Sequence, residues 1–134
     1  MDDQAAQALA MGYVAYLVSG DESVMRMFSP DFYDNVSGQS GLGIFQTVRE
    51  WMGTSFDQRS VDLHLVTHTE DSVMVWCTAR GRHVGNGFPR LLGREIKENV
   101  VTWPQVHIFR MQDGLVVEHW AVRDDAALID SVEA

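Results

Sequence analysis

The sequence predicts an α+β fold, with helices first and a sheet of consecutive antiparallel strands after them. Apolar residues recur at three- and four-residue spacing up to about residue 56, which is typical of amphipathic helices, and at two-residue spacing from about residue 60. Gly81, Gly85 and Pro104 interrupt the predicted strands, and such residues mark bends and bulges. We therefore expect a curved sheet that wraps over the helices and encloses a pocket. The 134 residues suit one domain, residues 1–134.

The first half of the chain supplies the helices. Apolar spacing predicts a helix over residues 4–17 that ends at Gly20, and then a short helix with Asp21 as its N-cap that stops before Pro30. The stretch "DFYDNVSGQSG" predicts a short strand that runs into a loop, and residues 44–56 again have helical period. These helices are expected to form the apolar layer that covers the sheet.

The second half of the chain supplies the strands. Residues 61–65 and the stretches "SVMVWCTARGRHVG", "NVVTWPQVHIFRM" and "LVVEHWAV" each predict a strand. The last two are joined by "QDG", whose Asp-Gly pair is a strong hairpin signal. The tail "DAALIDSV" predicts a short helix capped by Asp124 or Asp125.

Composition narrows the function. A net charge of −9 with only ten scattered basic residues argues against nucleic acid as a partner. Cys77 is the only cysteine, which excludes an internal disulfide and a thiolate-rich metal site and suits a reducing cytoplasm. No secretory signal and no apolar run of about 18 residues is present, so we expect a cytoplasmic protein without membrane contact. Nucleophile-elbow, P-loop and dinucleotide-binding motifs are absent, and cofactor-free acid/base chemistry remains.

The stretch "VVEHWAVRDD" holds the first candidate site residues. Strict alternation gives it two faces, one with Val116, Glu118, Trp120, Val122 and Asp124 and the other with Val117, His119, Ala121 and Arg123. An inward Trp120 would put the Asp124 carboxylate at the end of an apolar row, where burial suits proton transfer near neutral pH. The alternative is that Asp124 caps the tail helix and Asp125 is a solvated first-turn acid. His119 and Arg123 are expected outside the pocket or at a subunit contact.

The preceding strand holds the second group of candidates. It places Trp103, Gln105, His107 and Phe109 on one face. A glutamine and a histidine two residues apart in an aromatic wall are expected of a small-molecule site, and a core histidine satisfied by a backbone carbonyl is the alternative. His83 in "GRHVG" is a third polar candidate for the cavity, although its flanking glycines equally suit a strand bend.

The stretches "GRHVGNGFPRL", "WPQVHIFRMQDGLVVEHW" and "RDDAALI" together resemble the SnoaL-like polyketide cyclases of the nuclear transport factor 2-like superfamily. The resemblance extends to "FSPDFYDN" and "REWMGTSF", so it spans nearly the whole chain. It implies a cone-shaped α+β barrel, a homodimer or homotetramer, with a deep hydrophobic cavity for a polyketide-like small molecule. Proteins of this type close rings on aromatic polyketide intermediates by intramolecular aldol chemistry, without metal or cofactor.

The resemblance also implies residue roles. The general acid/base is an aspartate five residues after the histidine of the last strand, and counting from His119 gives Asp124. His107 would bind or polarise the enolisable carbonyl, with Gln105 beside it. Further side chains are expected to line or reshape the substrate pocket, namely Tyr16, Phe28, Phe32, Trp51, His83 and Trp120.

Other functions remain open at this stage. Related proteins hydroxylate polyketides, hydrolyse epoxides or bind ligands without chemistry, and fold alone does not separate them. A hydrolase would use an Asp-Arg-Asp set, and "RDD" supplies the letters, but Arg123 and Asp124 are neighbours on a strand and face opposite ways. The family often has an asparagine after the second helix, where this chain has Asp34 followed by Asn35, so the register there is open. A carboxylate-free cavity would indicate a binding module.

Overall fold

Three α-helices and six strands make up the protein, and the computed structural model describes residues 1–134. The α-helices are α1 (Asp3–Ser19), α2 (Gly43–Ser55) and α3 (Asp125–Glu133), and 3₁₀-helices span Glu22–Met27 and Pro89–Leu91. The strands are β1 (Phe28–Asp34), β2 (Gln39–Ser40), β3 (Phe56–His68), β4 (Ser72–His83), β5 (Val100–Gln112) and β6 (Leu115–Arg123). None of the helices combines the length and the apolar character needed to cross a membrane.

The strands form one mixed sheet in the order β2-β1-β6-β5-β4-β3. Neighbouring strands pair antiparallel, except that β1 and β6 are parallel. Asp113 and Gly114 form the turn between β5 and β6, with φ angles of 53° and 78°, as the hairpin signal predicts. Helices followed by a curved, mostly antiparallel sheet confirm the predicted α+β fold.

The helices cover one face of the sheet. The carboxylate of Asp2 accepts a hydrogen bond from the Ala5 N–H at 2.8 Å and starts α1, and Gly20 ends it in the left-handed conformation at φ 76°. A core of 14 buried residues lies between α1, α2 and the central strands, and a second cluster of eight joins the end of α2 to α3. Residues of both clusters line a cavity between them.

A β-bulge in β6 decides which side chains face this cavity. Arg110 pairs with Glu118 whereas Met111 pairs with Val116, so Val117 is an extra residue on the β6 side. Alternation therefore restarts beyond Val117, and His119 faces inward with a 7% exposed side chain. The predicted inward face with Trp120, Val122 and Asp124 is wrong, because strict alternation does not survive an inserted residue.

The outer face of the sheet is apolar over three strands. Met74, Ile108 and Trp120 are cross-strand partners, and so are Trp76, Val106 and Val122. The exposed members of this outer face include Trp76, Trp120 and Val122, the last of them 72% exposed. A contiguous apolar surface of this kind is typical of a protein contact.

Candidate active site

A cavity of about 410 Å³ lies between α1, α2 and the inner face of the sheet. This volume falls in the range of small-molecule sites, and most of the wall is apolar. The aromatic side chains in the wall are Tyr13, Tyr16, Phe28, Phe32, Phe45, Trp51, Phe88 and Trp103. The polar side chains are Asp34, Ser37, Arg90, Gln105, His107, His119 and Arg123. The cavity thus combines a hydrophobic wall with a small number of polar groups.

Four of the polar side chains form one hydrogen-bonded row, the Asp34–Gln105 row. Asp34 Oδ1 lies 2.9 Å from His119 Nδ1, His119 Nε2 lies 2.9 Å from His107 Nδ1, and His107 Nε2 lies 2.7 Å from Gln105 Oε1. The two imidazole rings are stacked, with centroids 5.2 Å apart and planes 12° from parallel. All four side chains are buried, so the row is a chain of polar groups in apolar surroundings.

The strands explain why these residues meet. Gln105 and His107 are two apart on β5 and share its inner face, as the alternation predicts. The bulge turns His119 of β6 to the same side, where it is the cross-strand partner of Asp34 at the end of β1. Asn35 points elsewhere, since its amide N–H groups donate to Glu118 and to the His119 carbonyl.

The row contains a carboxylate that stays charged. Burial opposes the charge on Asp34, but hydrogen bonds from His119 and Ser37, and the attraction of His119 whenever it is protonated, outweigh it, so the pKa of Asp34 lies below its ordinary value. The Ser37 hydroxyl donates to Asp34 Oδ2 at 2.7 Å. A charged Asp34 only accepts hydrogen bonds, so His119 Nδ1 carries a proton and donates it.

The other end of the row is a neutral base. Burial lowers the pKa of His107 well below its ordinary value; a protonated His119 and the charge of Arg123 lower it further, while Asp34 raises it. His107 is therefore uncharged at neutral pH, with one ring nitrogen protonated and the other able to accept. An uncharged imidazole in an apolar cavity suits proton abstraction.

Two protonation states satisfy every contact of the row. With Gln105 Oε1 facing His107, His107 Nε2 donates to it, His107 Nδ1 accepts from His119 Nε2, and His119 carries both ring protons. With the Gln105 amide turned by half a rotation, its N–H donates to His107 Nε2 and His107 Nδ1 donates to His119. The two states differ by one proton at the cavity end, so the row can accept a proton and return it.

Tyr13 adds a free hydroxyl to the cavity. Its ring meets the His107 ring edge-on, with centroids 4.8 Å apart. Burial raises the pKa of Tyr13 above its ordinary value, so the phenol stays protonated at neutral pH. The hydroxyl of the neighbouring Tyr16 is occupied, since it donates to the Phe45 carbonyl at 2.5 Å, whereas that of Tyr13 donates to no protein group. Tyr13 is thus available to a ligand oxygen.

The structure brings together most of the side chains named from the sequence. His107, Gln105, Tyr16, Phe28, Phe32 and Trp51 all line the cavity. No group of three or more His, Cys, Asp and Glu side chains is arranged to hold a metal ion.

Asp124 lies outside the cavity. Its carboxylate accepts a hydrogen bond from the Ala127 N–H at 2.9 Å and is the N-cap of α3. The alternative cap, Asp125, instead accepts from the Trp103 indole N–H at 3.0 Å and forms an ion pair with Arg90. The expected position of Asp124 in the pocket is wrong, because the bulge in β6 directs Arg123 inward and Asp124 outward.

Trp120 and His83 also lie outside the cavity wall. Trp120 is on the outer face of the sheet for the same reason as Asp124. His83 shares the inner face of β4, as predicted, but stands at the end of that strand beyond the cavity. Its Nε2 is 2.7 Å from Asn86 Oδ1, and its Nδ1 has no partner. His83 is therefore a buried histidine of the core.

Tyr13, Ser37 and Arg90 line the cavity although the sequence did not predict them there, and Asp34, whose position the sequence left open, lines it too. The prediction that His119 and Arg123 lie outside the pocket is wrong, because both line the cavity. The sequence holds one signal for the inward position of His119 and Arg123. Leu115, Val116 and Val117 are three consecutive apolar residues after a tight turn. Such a run breaks the two-residue period of a regular strand that has one buried and one exposed face. Tyr13 lies on the predicted apolar face of α1. Residue spacing alone does not show whether a tyrosine on that face is a core residue or presents its hydroxyl to a cavity.

Comparison with known proteins gives a match to one protein family. The sequence model of the SnoaL-like polyketide cyclases matches residues 8–131. No curated protein matches the chain. Among solved structures, TsrD from Streptomyces laurentii has a TM-score of 0.83 at 24% identity, covering 98% of this chain and 97% of that one.

Two further structures have the same fold. AclR from Streptomyces galilaeus, described as a proposed hydroxylase, has a TM-score of 0.79 at 24% identity and covers 98% of each chain. IdmH from Streptomyces antibioticus, described as a proposed polyketide cyclase, has a TM-score of 0.71 at 20% identity, covering 96% of this chain and 99% of that one. At these identities the likeness shows the α+β cone fold and nothing finer.

Proposed function

We propose that this chain, which belongs to the SnoaL-like polyketide cyclase family, closes a ring in an aromatic polyketide intermediate by intramolecular aldol chemistry. One observation carries the proposal, namely the Asp34–Gln105 row at an aromatic cavity of about 410 Å³. The protein's own side chains act as acid and base, without a metal or cofactor. The cavity supplies the folded substrate conformation and excludes water.

The first step is removal of a proton from a carbon flanked by carbonyl groups. His107 Nε2 takes this proton while its Nδ1 proton passes to His119 Nε2, 2.9 Å away. The positive charge then rests on His119, beside the Asp34 carboxylate at 2.9 Å. The proton is thus stored as a buried ion pair rather than as a charge on His107.

The enolate oxygen needs hydrogen-bond donors near His107. In the state with the Gln105 amide rotated, its N–H faces His107 Nε2 and becomes available to the substrate once the substrate takes its place at that nitrogen. The Tyr13 hydroxyl is free. Donors in a cavity of low dielectric stabilise a developing oxyanion more than the same groups do in water. We therefore assign Gln105 and Tyr13 to the oxyanion.

Ring closure and proton return complete the cycle. The enolate carbon attacks a second carbonyl of the same molecule, a carbon–carbon bond forms, and the carbonyl oxygen becomes an alkoxide. His107 Nε2–H donates its proton to this alkoxide, and the His119 proton moves back to His107 Nδ1. The product has the mass of the substrate, because one proton leaves and one returns.

The carboxylate of this mechanism is Asp34. The notable alternative is Asp124, which the family resemblance implies as the acid/base, but its carboxylate caps α3 at the protein surface. The paired variants Asp34→Asn and Asp124→Asn separate the two assignments. Loss of turnover in the Asp124 variant with retention in the Asp34 variant would contradict the mechanism proposed here.

One assay tests the reaction class. The purified protein is incubated with tricyclic anthraquinones whose side chain carries a ketone and an acidic methylene, and products are separated and weighed by mass spectrometry. Ring closure gives a new product of unchanged mass, hydroxylation adds one oxygen atom, and epoxide opening of an epoxide probe adds one water. Binding without any product would support a binding module and contradict the proposal.

The epoxide-hydrolase alternative finds less support in the geometry. Of the three residues in "RDD", Arg123 alone lines the cavity, while Asp124 caps α3 and Asp125 pairs with Arg90. The one cavity carboxylate, Asp34, is already held by His119 and Ser37. A carboxylate held this way positions an imidazole rather than a water molecule.

We also propose that the protein is a homodimer or homotetramer assembled through the outer face of the sheet. The support is the exposed apolar surface around Trp76, Trp120 and Val122. Light scattering after gel filtration gives the mass of the assembly, and the double variant Trp76→Glu/Trp120→Glu should be monomeric. A monomeric parent protein would contradict this proposal.

A further inference from the structure

Arg123 places a free cation in the cavity. Its guanidinium carbon lies 5.1 Å from the centroid of the Trp103 ring and 5.7 Å from that of the Phe88 ring. These cation–π contacts hold the group against the aromatic wall and use none of its N–H donors. The guanidinium therefore has a fixed position and an unused hydrogen-bonding capacity.

The acids near Arg123 and most of the other arginines are already paired. Six arginines form ion pairs with acids, namely Arg49, Arg80, Arg82, Arg90, Arg94 and Arg110. Asp125, two residues beyond Arg123, is engaged by Arg90 and by the Trp103 indole, and Asp34 by His119 and Ser37. A chain with 19 acidic residues thus leaves this inward cation without one.

The guanidinium of Arg123 is half-buried, and the aromatic wall replaces water on one side of it, so an anionic group is the partner that best completes its surroundings. A carboxylate compensates it best, since the planar fork of arginine matches the two carboxylate oxygens with two parallel hydrogen bonds. Such a pair gains strength from the low dielectric of the cavity. The chemistry of the site therefore points to an anionic ligand group.

The position of Arg123 relates this anion to the reacting atoms. Arg123 is the cross-strand partner of Gln105, and Ala121 that of His107. Residues two apart on one face of a strand are about 7 Å apart. A flat polycyclic ligand spans this distance, with its acidic group on Arg123 and its reactive carbon at His107.

We infer that Arg123 binds a carboxylate of the substrate, so that the protein acts on a polyketide free acid and discriminates against the corresponding ester. The polyketide part of this inference rests on the proposed function, whereas the anion site rests on the geometry of Arg123 alone. A bound carboxylate would also offset the charge of Arg123, which together with burial and His119 lowers the pKa of His107. Occupancy would then make His107 a stronger base.

The test compares a tricyclic acid with its own ester. Rhein, an anthraquinone carboxylic acid, and rhein methyl ester are titrated into the intact protein at neutral pH, and quenching of tryptophan fluorescence gives each Kd. We expect the wild type to bind rhein more tightly than the ester by about 10- to 100-fold, as for a hydrogen-bonded charge pair. Arg123→Gln should reduce this ratio to about one through loss of rhein affinity, with ester affinity unchanged.

Two further variants keep the result interpretable. Arg123→Lys keeps the charge but loses the fork, and we expect an intermediate preference for the acid. Arg110→Gln removes one positive charge from the outer face, where Arg110 binds Glu118, and should keep the full preference. Equal binding of rhein and ester by the wild type would overturn the inference, and so would equal loss of both affinities in Arg123→Gln.

The binding assay also separates this inference from the proposed function. His107→Gln removes the proposed base and should keep the preference for rhein over its ester. A wild type that prefers rhein but closes no ring on any acid tested would remove the proposed function and leave the anion site. Ring closure by a wild type that shows no preference for rhein over its ester would support the proposed function and overturn the anion site.

Discussion

Asp34→Asn is the sharpest test of the Asp34–Gln105 row. The asparagine has the shape of the aspartate and its amide oxygen still accepts from His119, so the fold and the row geometry should persist. What it lacks is the negative charge that stabilises a proton on His119. The change therefore isolates one physical quantity, the electrostatic energy of the ion pair.

The magnitude follows from the distance between the two groups. Unit charges 2.9 Å apart interact by about 6 kcal/mol at an effective dielectric constant of about 20. The neutral amide oxygen keeps the hydrogen bond, and we estimate that about half of this energy, about 3 kcal/mol, is lost from the state in which His119 holds the extra proton. A barrier raised by about 3 kcal/mol lowers kcat about 100-fold.

The assay is single-turnover conversion of a substrate found in the mass-spectrometric screen, with the unfolding midpoint measured alongside. Asp57→Asn is the matched control, because Asp57 pairs with Arg82 away from the cavity and its loss should leave kcat unchanged. A kcat within threefold of the wild type in a folded Asp34→Asn protein would refute the relay. A parallel loss in Asp57→Asn would show a general electrostatic effect instead.

Four further predictions concern the cavity and the packing around it. Tyr13→Phe should lower kcat/KM about tenfold with an unchanged unfolding midpoint, because it removes one hydrogen bond to the oxyanion, and steady-state kinetics checks this. The pKa of His107 is lowered by burial, so kcat/KM should stay flat from neutral pH down to its ordinary value of 6.5 and fall only below it. Below pH 6.5 the free energy of unfolding should also decrease, because His107 binds a proton in the unfolded chain but stays neutral in the folded protein. Denaturant titrations at several pH values measure this decrease. Gly85→Ala should destabilise by about 3 kcal/mol, because its Cβ would overlap the Thr54 carbonyl oxygen, while Gly53→Ala in α2 meets nothing and should stabilise slightly; chemical denaturation compares the two.

The fold can be predicted well from the sequence because the hydrophobic periodicity is regular along the regular helices and strands. Helix α1 begins and ends within two residues of the predicted bounds, since Gly20 and the apolar period mark it without ambiguity. The strand β5 alternates without interruption, so Gln105 and His107 share one face as predicted, and that face is the inner one. Local periodicity is enough for such elements.

The site is less predictable because it depends on one irregular strand and on long-range pairing. Asp34 meets His119 only because β1 pairs in parallel with β6, 85 residues later. No local pattern specifies that partner. The inward face of β6 depends on a bulge, and counting by twos across Val117 assigns Asp124 and Arg123 to each other's sides.

The bulge in β6 makes the chemistry of the cavity wall depend on strand register. If Val117 paired with Arg110, the bulge would be absorbed and every later residue of β6 would move by one position. Glu118, Trp120 and Val122 would then replace His119, Ala121 and Arg123 at the cavity wall, without substitution of any wall residue. One extra residue at the start of the strand thus decides whether the cavity is lined by two basic side chains or by an acidic and an aromatic one.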